Sequence, residues 1–337
     1  MKKPILVTGA AGFIGAATCK RLVEDGESVI GIDNLNDYYD PSLKLSRLEK
    51  IKGKTWQFLQ LDISDKDSTK DIFDTYEPSH VIHLAAQAGV RYSIENPGEY
   101  IQSNLVGFSH VLEGCRHHEI KHLVYASSSS VYGGNTNLPF KESQAVNHPV
   151  SLYAATKKAN ELLAHSYSHL YGMPATGLRF FTVYGPWGRP DMAPMLFAKA
   201  ILESKPIRVF NNGKMRRDFT YIDDIVEGII RVARKPAEAN EKFDKNHPDP
   251  ASSWAPHRVF NIGNSEPIAL MDFIDCLEKA LGTEAIKHFE PMQPGDVEST
   301  AADTTELESW VGFKPSTPIE KGIEAFAGWY RSYYQVR

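Results

Sequence analysis

The 337-residue chain has few cysteines, little excess charge and no long apolar runs. Its three cysteines, Cys19, Cys115 and Cys276, are odd in number and far apart. That spacing argues against a disulfide framework and a zinc site and fits a reducing compartment. No stretch approaches the ~18 uninterrupted apolar residues of a spanning helix, so no membrane span is expected. The N-terminal MKKPILVTGAAGFIG carries the lysines of a secretory signal, but three glycines break its apolar run. The chain is therefore expected in the cytoplasm. With a net charge of −5 and scattered Lys and Arg, there is no basic stripe for nucleic acid or an anionic membrane. An anionic substrate would have to be held by a few cations placed inside a site. Internal repeats and low-complexity tracts are also lacking.

What is present is a regular alternation. Short apolar runs at 4–8, 27–33, 56–62, 79–85, 122–128 and 174–181 read as buried strands. Helical patterns lie between them, notably at 97–117 and 152–171. Continuous apolar strands separated by helices predict an α/β fold, a doubly wound parallel sheet of Rossmann type with ligands at the strands' carboxyl ends. Beyond residue 182 the pattern loosens. A polar stretch at 236–256 reads as a solvated excursion, VFNIG (259–263) as a further strand, and the tail as three helices. The expected organisation is a dinucleotide-binding domain over 1–181, with 219–235 and 257–265 returning to it. A smaller, interleaved substrate-binding lobe occupies 182–337.

Three stretches carry chemistry. TGAAGFIG joins the first strand to the first helix, with Gly9, Gly12 and Gly15 spaced GxxGxxG and Phe13 and Ile14 between them. Glycines there allow a tight turn, close approach to a pyrophosphate and helix–sheet packing, and the helix N-terminus presents free N–H groups. Asp33, followed by Asn34, ends the second strand, where a carboxylate binds ribose hydroxyls and repels a 2′-phosphate. NAD is therefore favoured over NADP. YAATK sets Tyr153 and Lys157 at i and i+4 on one helix face. A neighbouring ammonium lowers a phenol pKa, as a positively charged nicotinamide would, so this tyrosine is expected to exchange a proton with a sugar hydroxyl. The third, YASSSSVYG, ends a strand with four serines, a run that in isolation reads as a solvated turn. Arg91 in GVRYS and Arg189 in GRPDM are each able to pair a carboxylate bidentately. His165 and His169 lie four apart on a helix but lack a third ligand, so no metal is expected.

With TGAAGFIG, IDNLNDYYD, HLAAQAGVRYS, YASSSSVYG, YAATK and LRFFTVYGPWGRPDMA in hand, the chain resembles the extended short-chain dehydrogenase/reductase family of nucleotide-sugar enzymes. Within that family it is most similar to the UDP-glucuronate 4-epimerases, and the resemblance runs over essentially the whole chain. It implies an NAD enzyme acting on a UDP-sugar, with Tyr153 as acid/base, Lys157 as its partner and Ser128 assisting. It implies adenine contacts at Asp62 and Ile63 and a cofactor wall of Leu84, Ala85, Ala86 and Gln87, with Asn104 supporting the site. It further implies substrate contacts at Ser129, Ser130 and Thr182, UDP contacts at Arg217 and Asp296, and a homodimer built on the helices at 97–117 and 152–171. Related 4,6-dehydratases carry Asp-Glu where Ser129 and Ser130 stand, and decarboxylases carry Glu at the second. The serines thus imply a neutral wall. A 4-epimerase of neutral UDP-hexoses, a decarboxylase and a non-catalytic NAD-sensing protein are the alternatives.

Overall fold

The computed structural model describes residues 3–293 and 295–336. The outermost ends of the two expected domains (residues 1, 2 and 337) and Pro294 of the QPGDV stretch lie outside that range.

Seven parallel strands form the main sheet, in the order His257–Ile262, Ala175–Phe180, His122–Ser128, His80–His83, Ile5–Thr8, Val29–Asp33, Trp56–Gln60. The register brings the strand ends level: Thr8 pairs with Ile32 on one side and His83 on the other, and Ser128 pairs with Phe180. The chemically distinctive residues of four strands therefore emerge along one carboxyl edge. Apolar clusters cover both faces, one built around Val7, Ile82, Val124 and Ile229, the other around Leu6, Phe73, Phe108 and Leu123. The strands lack polar alternation because both faces are buried.

Residues 182–336 do not simply form a second unit. The strand His257–Ile262 joins the main sheet beside Ala175–Phe180, and the helix Ile222–Ala233 packs on the first helix, Phe13–Glu24. What stands apart is a third core of Tyr184, Phe219, Phe273 and Phe326, beside a three-stranded sheet of Thr182–Tyr184, Arg216–Tyr221 and Pro267–Ala269. The tail contributes helices Leu270–Leu281, Thr305–Val311 and Ile319–Tyr334.

Two local expectations change. The helix predicted over 97–117 is interrupted: Pro97–Tyr100 is helical, Ile101–Gly107 winds as a π-helix, and Phe108–His117 resumes the α-helix. The wider turn seats Asn104 inside the fold, and such segments often mark functional positions. The excursion at 236–256 has no regular element but is tied down. Ser253 Oγ lies 2.9 Å from His165 Nε2, and Trp254 Nε1 donates to His169 Nδ1 at 3.0 Å. The two histidines of Leu152–Tyr171 therefore anchor a loop.

One buried charge network links the helix Leu152–Tyr171 to the sheet. Arg179, fully buried, forks onto Glu161 at 2.8 and 3.0 Å, and Ser127 Oγ donates to the same carboxylate at 2.7 Å. Arg179 also donates to Tyr132 Oη at 3.0 Å, and that hydroxyl donates to Asn261 at 2.7 Å. Glu161 pays for its burial through this network: its desolvation is outweighed by Arg179, which holds the carboxyl well below its usual value. Glu161→Gln leaves the guanidinium buried without a countercharge, so unfolding in urea should show a loss of ~3–5 kcal/mol. A loss below ~1 kcal/mol would mean that the pair does not hold the helix.

Candidate functional site

A cleft runs along the carboxyl edge of the sheet, from the glycine turn at one end to the serine run at the other. Gly9 has φ +72°, and a Cβ there would lie 2.7 Å from Ala85 N, so the turn closes against the strand end only with glycine. At Gly15 a Cβ would fall 2.0 Å from Gly9 O. Gly12 caps the helix without a side-chain hydrogen bond, leaving the first N–H groups of Phe13–Glu24 directed at the cleft. Phe13 and Ile14 line the same end.

Asp33 accepts from Ala11 N at 3.2 Å and Leu35 N at 2.9 Å, which orients its carboxylate beside the turn. Asn34 Nδ2 donates to Asp62 Oδ2 at 2.9 Å, and Ser64 N to Asp62 Oδ1 at 2.8 Å. Partial burial pushes the Asp62 carboxyl upward, but these donors hold it below its ordinary value. Ile63, Leu84, Ala85, Ala86 and Gln87 complete this half of the wall. Asn104 stands behind it: its Oδ1 accepts from Gln87 N at 2.8 Å, and its Nδ2 donates to Gln87 O at 3.0 Å and Thr156 Oγ1 at 3.1 Å. Its amide is committed to the wall's backbone and does not reach the cleft, so contact with a cofactor would be indirect.

All four serines of the run line the cleft, but the Ser127 side chain is taken up by the buried Glu161. Ser128 Oγ accepts from Ser130 N at 3.1 Å. Across from them the helix Leu152–Tyr171 starts at Ser151, whose side chain accepts from Ala154 N at 3.1 Å, so Tyr153 and Lys157 project from its first turns. Lys157 is buried and donates to Ala126 O at 2.9 Å; burial pulls its ammonium down to about 8. Tyr153 differs from expectation. Burial pushes its phenol above the ordinary value, and neither its hydrogen bond with Ser128 nor the Arg189 charge outweighs that loss of water.

At the far end Thr182 and Arg189 enter the cleft. Arg189 is paired within its own chain, its Nε donating to Asp191 Oδ1 at 3.0 Å and its NH2 to Oδ2. Arg91, Arg217 and Asp296 form a separate group outside the cleft lining. Asp296 lies 3.4 Å from Arg91 and 3.5 Å from Arg217. The cleft's neighbour Val90 would meet a Cβ on Gly295 at 3.1 Å, so the group sits against the wall.

Sequence reasoning missed the floor. Asn36, Tyr38, Tyr39 and Lys44 line the cleft, and Lys44 Nζ donates to Asn36 O at 2.7 Å. Arg47, 2% exposed, donates to Ala11 O at 3.1 Å, Trp187 O at 2.7 Å, Gly188 O at 3.1 Å and Tyr39 Oη at 2.6 Å. It joins the glycine turn to the loop that carries Arg189. The NDYYD stretch, two tyrosines in a polar loop after a strand, was the available signal. Lys44 and Arg47 lie three apart on the helix Pro41–Glu49, where charge alone gives no local sign of burial. Among the described residues no group of three or more His, Cys, Asp or Glu is placed to hold a metal.

Comparison with known proteins places this geometry in context. A model of the NAD dependent epimerase/dehydratase family matches residues 5–263. Protein CapI of Staphylococcus aureus is 54% identical over 331 residues, spanning 98% of this chain and 99% of its own. A probable UDP-glucuronate 4-epimerase of Rhizobium meliloti is 47% identical over 334 residues, spanning 98% and 97%. The solved UDP-glucuronic acid 4-epimerase of Bacillus cereus, in complex with UDP-glucuronic acid and NAD, is 34% identical with a TM-score of 0.87, covering 99% of this chain and 100% of that one.

Proposed function

Since the chain belongs to the NAD dependent epimerase/dehydratase family, we propose that it interconverts UDP-glucuronate and UDP-galacturonate by NAD-dependent epimerisation at C4. The observation that carries the reading is Tyr153, a phenol partnered by Ser128 and subject to the Arg189 charge, in a cleft whose other end is the glycine turn.

The residues suit a dinucleotide. The uncapped helix start at Gly12 would offer N–H groups to a pyrophosphate, and Asp33 and Asp62, beside the same cleft, would receive the ribose and adenine. NAD, when bound, supplies the acceptor and donor of the C4 hydride. Tyr153 takes the O4 proton through Ser128 and returns it after the 4-keto sugar has turned over in the cleft. Lys157, one helical turn on, adds positive charge that favours the phenolate. Arg189, Thr182, Ser129 and Ser130 receive the C6 carboxylate, and Arg91, Arg217 and Asp296 the UDP portion. Elimination or decarboxylation needs a further acid/base, and Ser129 and Ser130 are neutral. A second reading, epimerisation of neutral UDP-hexoses, gains support from Asp191, which already fills the fork of Arg189.

The same reading divides the chain into a dinucleotide-binding domain, with 219–235 and 257–265 returning to it, and a substrate lobe. It assigns the enzyme to the cytoplasm; no helix among the described residues is long and apolar enough to cross a membrane. It also makes the enzyme a homodimer. Leu162, Leu170 and Tyr171 on Leu152–Tyr171, and Ile101 on the neighbouring element, are exposed apolar residues that a second copy would cover.

NMR of wild type with UDP-glucuronate should show UDP-galacturonate accumulating; absence of turnover would end the proposal. Tyr153→Phe should bind the sugar nearly normally and turn over ~10²–10⁴-fold more slowly. Because burial raises the phenol above its ordinary value and its unprotonated form is the base, wild-type activity should keep climbing as pH rises past neutrality into the alkaline range. Protein purified without added cofactor should release NAD on denaturation, read by mass spectrometry, and mainly NADP would remove the role given to Asp33. Light scattering at micromolar concentration should report a dimer, and a monomer would contradict the interface.

A further inference from the structure

Arg189 already holds a carboxylate of its own chain. The fork to Asp191 uses Nε and NH2, with Nε to Oδ1 at 3.0 Å. Tyr38 Oη donates to Asp191 Oδ2 at 3.1 Å, so the carboxylate is held from two sides. Burial keeps the Tyr38 phenol protonated, its pKa raised to about 12, so it remains a donor. Tyr38 is itself fixed against Tyr92, ring centroids 4.7 Å apart. The pair is not sealed in the core, since Arg189 and Asp191 side chains are 23% and 29% exposed, and Arg189 lines the cleft. A guanidinium gripped along its Nε side keeps one further two-donor edge, between its terminal nitrogens. A second carboxylate arriving there shares a nitrogen with Asp191 and meets a like charge.

We propose that Asp191 is a specificity-determining residue, a tethered carboxylate that competes with the substrate's C6 carboxylate for Arg189. The proposal rests on the uronate reading above and adds a way for the sugar to let go. Epimerisation at C4 presents both faces of the 4-keto sugar to one hydride position, so the C6 carboxylate must leave its partner and return in every cycle. A bidentate charge-assisted pair resists that exchange. Asp191 makes it an exchange of partners: as the substrate carboxylate departs, the guanidinium keeps a countercharge in a partly buried setting. The same residue lets the cleft accept a neutral hexose without leaving Arg189 uncompensated.

The test is Asp191→Asn, which keeps the side chain's shape and an acceptor for Tyr38 but removes the charge. Calorimetric titration with UDP-glucuronate and UDP-glucose should give a Kd about tenfold lower for the uronate, a change of ~1.4 kcal/mol. The Kd for UDP-glucose should stay within about twofold, while kcat on the uronate falls because the sugar is held too firmly to turn. Uronate affinity that is unchanged or weaker, or that moves together with UDP-glucose, would reduce Asp191 to a prop for Arg189 and overturn the proposal. The underlying reading is tested separately, by wild-type turnover of UDP-glucuronate and a uronate-selective loss in Arg189→Ala. If both hold while Asp191→Asn leaves the ratio of affinities unmoved, only the role of Asp191 fails.

Discussion

The paired charges of Glu161 and Arg179 are the constraint on which the site rests. Tyr153, Lys157 and Glu161 follow one another at four-residue intervals on a single helix, so they share one face toward the sheet. Glu161 is clamped by Arg179 from one strand and Ser127 from the next, which fixes both rotation and height of that helix. The phenol and the ammonium inherit their positions from this clamp. An ion pair so deeply buried gains little net stability over an apolar packing, but it tolerates no alternative seating.

Burial governs the chemistry in the same way. It raises the phenol of Tyr153 and lowers the ammonium of Lys157, so both groups are pushed toward neutrality. Ser128 and Arg189 work against that push on the phenol without overcoming it. Both shifts leave the pair less charged than free side chains would be, and charge arriving near the phenol acts on a group partly withdrawn from water. In such surroundings a single charge has more effect than at a surface.

Arg47 and Asp191 show how the two ends of the cleft are kept in step. One buried guanidinium, that of Arg47, binds four neutral groups: the carbonyls of Ala11, Trp187 and Gly188 and the Tyr39 hydroxyl. It ties the glycine turn to the loop of Arg189, so displacement at one end is transmitted through a few hydrogen bonds. The loop 236–256, polar enough to read as free, is held to the helix Leu152–Tyr171 by two histidines.

The sequence by itself determined the parallel sheet, the glycine turn, Asp33 and the Tyr153–Lys157 pair. Each is a local pattern: apolar run length, glycine spacing, a helical interval. The resemblance added the cofactor wall and the substrate class. Tertiary structure alone decided that, of the four serines along the cleft, Ser127 is the one whose hydroxyl is taken by the buried Glu161, since four identical residues carry no internal signal. It turned Asn104 inward on a π-helical turn, buried Lys44 and Arg47, and closed Arg189 on Asp191. Short-range periodicity is written in neighbouring residues. The partner of a charged side chain and its loss of water depend on contacts between distant segments, 140 residues apart for Arg47 and Trp187 and 205 for Arg91 and Asp296, which only the folded chain brings together.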